Sequence, residues 1–441
     1  MVATITRFFT IEEGEPTMTL ATRPRGTNDI LPADAELWLE LEEKIRRVCH
    51  AYGFGEIRTP IFEHTELFQR GIGDTTDIVE KEMYTFTDRG ERSLTLRPEG
   101  TAPVVRAFLE NKLGSGPLPV KLYYYGPMFR YERPQSGRYR QFTQFGFEIL
   151  GSDDPLLDAE SIALPLELYE ACGLDGFEVE INSIGCPECR PAYRAALVDY
   201  FEPQRDKLCQ SCQSRLDRNP LRLLDCKVKG CQPIIASAPT ISEYLCADCT
   251  DHFSQVLSYL DVLEISYNVN PRLVRGFDYY TRTVFEVKYA ALGAQDAIGA
   301  GGRYDGLVEE CGGQPTPAVG FAVGVERLLL ALKAQDKLGE SKKSPLAYLI
   351  HFGGETKLEA ARVAHYFRKR GIWVEMDYMD RSMRAQMKAA NRLASRYVLI
   401  FGEEELAAGQ VLVRNMGDGQ QELKDLQQLD ELITALGACE K

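Results

Sequence analysis

The 441-residue sequence lacks any apolar run near the roughly 18 residues that a membrane-crossing helix requires, so no membrane partner is expected. Its opening stretch, MVATITRFFTIEEGEPTMTL, lacks a cationic start followed by a long apolar run, so it is not expected to be a secretory leader. Residues 1–17, ahead of the second methionine Met18, are expected to form a disordered tail on a cytoplasmic protein. Basic residues are not in excess. There are 51 Lys+Arg against 65 Asp+Glu, a net charge of −14. That balance excludes non-specific nucleic-acid binding over the whole surface, and no DNA partner is expected, but a local basic site stays open. The few histidines are not placed with the C-x2-C pairs as a deaminase's H-x-E and P-C-x-x-C signature requires, so a catalytic zinc of that kind is not expected. Repeats and low-complexity tracts are absent.

What is present is the composition of a globular chain, 44% apolar and 26% charged, long enough for two or three domains. PADAELWLELEEKIRRVCHAYGF carries Leu37, Leu41, Ile45 and Val48 at helical spacing, with Gly53 as the stop. GEIRTPIFEHTELF reads as one strand with Pro60 at an edge or bulge. SLTLRPEGTAPVVRAFLEN reads as strand, turn and helix. VKLYYYGPMFRYE and YRQFTQFGFEILG read as two antiparallel strands around the loop RPQSG, and LVRGFDYYTRTVFEVKY as a further strand. GGRYDGLV is a turn, and AVGFAVGVERLLLALKAQ a strand leading into a helix. The expected fold is an α+β domain on an antiparallel sheet over residues 18–340, with a mostly helical cysteine-rich insertion over 183–270. GESKKSP is a linker. Alternating strands and helices over 345–441 then predict a small α/β domain with a largely parallel sheet. That domain has no Gly-rich loop after its first strand, so nucleotide binding there is unsupported.

The stretch FRYERPQSGRYRQFTQFGFEIL, Phe129–Leu150, concentrates Arg130, Arg133, Arg138 and Arg140 among six aromatic rings. Guanidinium groups hold phosphates through paired hydrogen bonds, and rings stack bases, so an antiparallel pair carrying both suits a nucleotide. Arginine and tyrosine also decorate exposed strands for solubility, and composition alone favours that plainer reading.

The ordered motifs decide. YGPMFRYERPQSGRYRQFTQFGFEILG resembles the second signature motif of class II aminoacyl-tRNA synthetases in its histidyl form. GFAVGVERLLLAL resembles the third motif and GFGEIRTPIFEHTELF the first. LVRGFDYYTRTVFEV and GGRYDGLV resemble the histidine-specific segments, and RPEGTAPVVRAF and the opening RGTNDILP also match. The resemblance implies a histidine–tRNA ligase that uses ATP with Mg2+, acts on L-histidine and its tRNA, and works as a homodimer. It implies that Arg130 meets the α-phosphate, with Glu132 beside it, and that Arg275 stands opposite where other class II members place a metal. Arg138 and Arg327 would hold the outer phosphates, and Phe142 would stack adenine. Histidine would be met by Glu99, Gly100, Thr101, Arg130, Gln144, Glu148, Arg275, Tyr279 and Tyr280, with Tyr304 a weaker candidate. Arg133 and Gln135 would reach the tRNA end, and the C-terminal domain would bind the anticodon stem-loop. Arg140 has no role in this reading. A histidine-sensing regulatory paralogue without catalysis is the alternative. Such paralogues lose the ATP-contacting motifs and the C-terminal domain, and both are present here.

The chain has 12 cysteines. Cys186/Cys189, Cys209/Cys212 and Cys246/Cys249 are C-x2-C pairs, and Cys226 with Cys231 makes a looser fourth. Two such pairs read as a structural zinc site and four suffice for two sites, with the pairing open. Buried free thiols are the plain alternative. The resemblance does not call for zinc, and disulfides do not suit a reducing cytosol.

Overall fold

The computed structural model describes residues 22–437 except 74, 75, 77, 136, 294, 295 and 338–343. The tail expected over residues 1–17 and most of the GESKKSP linker lie outside the described residues. The chain divides into two compact units, Met1–Gly339 and Glu340–Lys441.

The larger unit is built on an eight-stranded sheet. Its strands are β1 (Gly55–Glu56), β2 (Val120–Phe129), β3 (Gln141–Leu150), β4 (Glu178–Ser183), β5 (Asn268–Val269), β6 (Thr281–Lys288), β7 (Ala297–Arg303) and β8 (Ala318–Gly324). They lie in the order β1-β2-β3-β8-β7-β6-β4-β5. β1 with β2 and β4 with β5 are parallel, and the other neighbours are antiparallel. Strand alternation divides the two faces. In β3, Phe145, Phe147 and Ile149 pack into a core shared with the helices Pro32–Ala51, Pro155–Ala171, Ala247–Val262 and Val325–Ala334. Phe142, Gln144, Gly146 and Glu148 take the opposite face. The first helix starts with proline at its first turn and buries Leu41, Ile45 and Val48. Gly53, at φ +77°, turns the chain out of it, and the Phe54 N–H closes back on the Cys49 carbonyl at 2.9 Å.

GEIRTPIFEHTELF is not one strand. Gly55–Glu56 pairs with β2, while Phe62–His64 joins Ser93–Leu96 and Tyr84–Thr87 in a separate three-stranded sheet. The break is held by Arg97. Its guanidinium donates to the carbonyls of Thr59 at 2.9 Å, Pro60 at 3.4 Å and Pro127 at 2.9 Å. Carbonyls turned toward a buried cation are lost to a strand ladder.

LVRGFDYYTRTVFEVKY is strand only from Thr281 to Lys288, and its first half is a loop. GGRYDGLV closes β7 and turns. Its Arg303 is fully buried and grips both oxygens of Asp158, with Nε at 3.2 and 3.1 Å. It also donates to the Ser152 carbonyl at 3.1 Å and to Asp305 at 3.2 Å. Buried His252 stands 3.7 Å from Asp158, and burial holds its pKa below the ordinary value. This network ties the Pro155–Ala171 helix to the centre of the sheet.

Between β4 and β5 lie the helices Arg190–Phe201, Gln210–Arg218, Gln232–Ala236 and Ala247–Val262, joined by short 3-10 turns. The first three enclose a small core of their own around Tyr193, Leu197, Phe201, Leu216 and Leu223.

The smaller unit has a five-stranded sheet. Ala347–His351 runs parallel to both Val374–Met376 and Tyr397–Phe401, as the alternation predicts. Gln410–Asn415 and Gln421–Asp425 extend it as an antiparallel hairpin that the alternating pattern does not foreshadow. The helices Gly354–Lys369 and Met383–Arg392 pack on it.

Removing one member of a buried ion pair strands the other. Arg303→Met is expected to destabilise the larger unit by roughly 3–5 kcal/mol. Arg303→Met with Asp158→Leu is expected to recover most of that loss, and urea unfolding of the three proteins checks both.

Candidate active site

Glu99 precedes the helix Thr101–Glu110 and turns its carboxylate back on that helix start. One oxygen accepts the Thr101 N–H at 2.6 Å and the other the Ala102 N–H at 3.0 Å. These are first-turn amides with no partner inside the helix. Burial nonetheless raises the Glu99 pKa. The Thr101 hydroxyl then donates to Glu148 Oε1 at 2.7 Å, and the Tyr304 hydroxyl donates to Glu148 Oε2. Glu148 is 1% exposed, and burial pushes its pKa up to about 8. Its neighbour across the ladder is Gly320, where a Cβ would sit 1.8 Å from Glu148 Oε2. Gly100 is equally constrained, since a Cβ there would strike the Tyr124 ring at 2.2 Å. Gln144, on the same face of β3, is buried, and its Oε1 has no hydrogen-bond partner among the described residues.

The arginines stand at the other end of this face. Arg130 leaves the end of β2 and donates Nε to the Pro98 carbonyl at 2.8 Å. Its guanidinium lies 5.3 Å from the Phe142 ring and 6.0 Å from the Phe277 ring. Glu132 pairs with Arg138 at 3.2 Å and approaches Arg130 at 3.9 Å. Arg138 is 46% exposed at the mouth. Arg275 pairs with Glu286 of β6, and its guanidinium stands 5.8 Å from the Tyr280 ring. The Arg275 Nε is buried without a partner among the described residues. Arg327 opens the helix Val325–Ala334, and its pKa is lowered by burial first and by the neighbouring charge of Arg138 second. Glu326 beside it accepts the Thr143 N–H at 2.8 Å, and burial raises its pKa to about 7.

One cavity of about 360 Å³ gathers these groups. Its lining includes Glu99, Thr101, Arg130, Glu132, Arg138, Phe142, Gln144, Glu148, Arg275, Tyr279, Tyr280 and Arg327 from the residues singled out by sequence, and Tyr304 with them. That size suits a small-molecule site, and four cations facing a buried polar cluster suit an anionic ligand with a polar side chain. Arg133 and Gln135 do not line the cavity. Both are exposed in the loop, where the Gln135 and Arg138 backbones pair at 3.1 and 2.9 Å. Arg140 is structural. It covers the Tyr131 ring at 3.9 Å, donates Nε to the Glu132 carbonyl at 3.2 Å, and its N–H meets the Gly26 carbonyl at 2.7 Å.

Sequence reasoning missed Tyr124, Glu286, Gly320 and Glu326, all of which line the cavity. Glu326 adjoins Arg327 and could have been found from that neighbour. Glu286 and Gly320 carry no local signal, because their roles depend on partners supplied by other strands. The eight cysteines form two groups of four, apart from this cavity: Cys186, Cys189, Cys246 and Cys249, and Cys209, Cys212, Cys226 and Cys231.

Comparison with known proteins gives the same outline. A family described as histidyl-tRNA synthetase matches residues 26–328, and one described as anticodon binding domain matches residues 347–436. The histidine–tRNA ligase of Desulforamulus reducens is 56% identical over 416 residues, 94% of this chain and 99% of that protein. That of Pelotomaculum thermopropionicum is 56% identical over 419 residues, again 94% of this chain and 99% of that protein. The crystal structure of apo S. aureus histidyl-tRNA synthetase superposes with a TM-score of 0.79 at 39% identity, covering 94% of this chain and 99% of that one. With a family match over most of its length and relatives of this identity and coverage, the chain belongs to the histidyl-tRNA synthetase family.

Proposed function

We propose that the chain joins L-histidine to the 3′ end of its tRNA, using ATP, in the cavity of the larger unit. The observation that carries this is the convergence of Arg130, Arg138, Arg275 and Arg327 on one side of that cavity and the Glu99, Thr101, Gln144 and Glu148 cluster on the other. The first step needs no side-chain base, because the histidine carboxylate is the nucleophile. Its oxygen attacks the α-phosphorus, the bond to the bridging oxygen breaks, and pyrophosphate leaves. Catalysis then rests on positioning and on neutralising charge at the α-phosphate. Arg130, steadied by the Pro98 carbonyl, and Arg275, steadied by Glu286, supply that charge from two sides. Arg138 and Arg327 hold the outer phosphates, and their mutual repulsion without a ligand favours an anion between them. Phe142 stacks adenine. Glu132 and Glu286 offer the hard oxygen donors that suit Mg2+, which would neutralise part of the triphosphate charge. In the second step the terminal adenosine hydroxyl of the tRNA attacks the histidyl carbonyl, and AMP leaves.

The amino group of histidine meets Glu99 and Thr101, and its imidazole meets Glu148 and Tyr280, with Gln144 and Tyr279 alongside. A pocket of buried polar groups rejects side chains that leave those groups unpaired, by roughly 10⁴-fold or more. Arg133 and Gln135 sit in an exposed loop suited to the tRNA end. Residues 18–340 form the catalytic domain, with its insertion over 183–270, and residues 345–441 read the anticodon arm. No described helix is long and apolar enough to cross a membrane. The use of ATP and tRNA supports a cytoplasmic location. The small sheet leaves Ile61, Phe62 and Phe86 exposed, an apolar patch that supports a homodimer contact.

Histidine-dependent exchange of pyrophosphate into ATP tests the reading, and a pure folded chain without exchange would sink it. Arg275→Ala is expected to lower the exchange rate by roughly 10²–10³-fold with unchanged circular dichroism. Near-normal exchange would remove Arg275 from the chemistry.

Burial lifts Glu148 from an ordinary 4.5 to about 8. Its folded value lies above its unfolded one, so the stability it contributes is full below about 4.5 and is lost as pH rises through about 8. Glu148→Gln cannot ionise. It is expected to flatten the fall in melting temperature of the ligand-free protein between about pH 6 and 8. It is also expected to raise the histidine KM roughly 10- to 100-fold, the worth of a charge-assisted hydrogen bond. An unchanged slope would show that Glu148 does not titrate there.

Phe62→Arg places a charge on the exposed apolar patch. It is expected to shift the sedimenting species from dimer to monomer, and an unaltered dimer would locate the contact elsewhere.

A further inference from the structure

The chemistry above makes no use of the eight clustered cysteines. The sulfurs of Cys186, Cys189, Cys246 and Cys249 lie within 4.8 Å of one another, and so do those of Cys209, Cys212, Cys226 and Cys231. We propose that each group binds one structural zinc ion, and that the first zinc positions the segment carrying Tyr280 in the histidine pocket.

Geometry carries the assignment. Four sulfurs held about 2.3 Å from a central zinc stand about 3.8 Å apart, the edge of the tetrahedron. Cys186 lies 3.6 Å from Cys189 and 3.9 Å from Cys246, and Cys209 lies 3.8 Å from Cys226. A disulfide would bring two sulfurs to about 2.05 Å and leave the other pair out. Four thiolates around one dication leave a net negative charge, which backbone amides can offset. The Cys246 N–H points at the Cys189 sulfur at 3.1 Å, the Cys209 N–H at Cys231 at 3.3 Å, and the Val228 N–H at Cys226 at 3.4 Å. An all-sulfur tetrahedral set selects zinc, or iron, over hard cations.

The two groups sit where a metal has mechanical work to do. The first joins the chain entering the insertion to the chain leaving it, residues 60 apart in sequence. The second lies inside the insertion's own core, of which Cys212, Cys226 and Cys231 are buried members. That core joins helices of 12, 9 and 5 residues and 3-10 turns, a cluster of the size that small folds staple with a metal. A metal supplies folding free energy.

The first group also reaches the pocket. Arg190 follows Cys189 directly, and its N–H closes on the Cys186 carbonyl at 3.2 Å. Its guanidinium donates to the backbone carbonyl of Tyr280. Just ahead of Cys186, Ile184 and Gly185 pair with the Arg282 backbone at 2.7 and 2.9 Å. The cysteine knuckle therefore holds the chain at Tyr280 and at Arg282 just beyond it, and Arg190 is a positioning residue.

Elemental analysis of the full chain, purified without chelator, is expected to find two zinc ions per chain. Cys246→Ser with Cys249→Ser is expected to leave one, and so is Cys226→Ser with Cys231→Ser. Cobalt substitution in the unaltered chain does not depend on a variant folding. It is expected to give thiolate-to-cobalt charge-transfer and tetrahedral d–d bands for two ions. Iron in place of zinc, disulfides by mass, or a metal-free chain with eight titratable thiols would overturn the assignment, and a single zinc would overturn the two-site form. These readouts do not depend on the proposed reaction. Loss of the first zinc is further expected to raise the histidine KM roughly tenfold while the ATP KM stays within about twofold, as displacement of one pocket wall requires. An unchanged histidine KM would overturn the link to Tyr280.

Discussion

A carboxylate can stand buried at the centre of a sheet only where the adjoining strand leaves it room and hydroxyls leave it satisfied. Glu148 meets both conditions. Gly320 opposite it has no side chain, and Thr101 and Tyr304 donate to its two oxygens. The rest of the pocket depends on this register. A slip of one residue between β3 and β8 would turn Glu148 and Gln144 into the helical core and bring Phe145 and Phe147 to the ligand face. The phenylalanines packed beneath the sheet guard against that slip, so the hydrophobic core and the polar pocket specify each other.

The arginines separate by what holds them. Arg97, Arg140 and Arg303 spend their donors on carbonyls or on a buried carboxylate, and they fasten segments together. Arg130 is anchored to the Pro98 carbonyl with Glu132 at 3.9 Å, Arg275 is anchored to Glu286, and both remain in the cavity lining. A rigid cation that is not neutralised in full is what a reaction at phosphorus needs. Local concentration of such groups also explains how a chain of net charge −14 can present a cationic cavity.

Much of this was legible in the sequence. The antiparallel pair, the strand-to-helix passage at Val325 and the shared face of Phe142, Gln144 and Glu148 follow from alternation and apolar spacing, which near neighbours encode. The single strand read into GEIRTPIFEHTELF failed because Arg97, from a distant segment, claims the carbonyls of Thr59 and Pro60. The hairpin ending the smaller sheet was missed because Gln421–Asp425 is an exposed edge strand whose pattern has no buried face to impose.

By itself the sequence determined the residue types at the site, the faces of the strands that bear them, and the presence of paired cysteines. Tertiary structure alone decided which arginine lines the cavity and which is a fastener, and that Glu286 pairs with Arg275. It also decided that Cys186 and Cys189 meet Cys246 and Cys249 while Cys209 and Cys212 meet Cys226 and Cys231. The physical reason is range. Periodicity reports which way a side chain points from its own backbone, whereas pairing across tens of residues is set by where the whole chain returns.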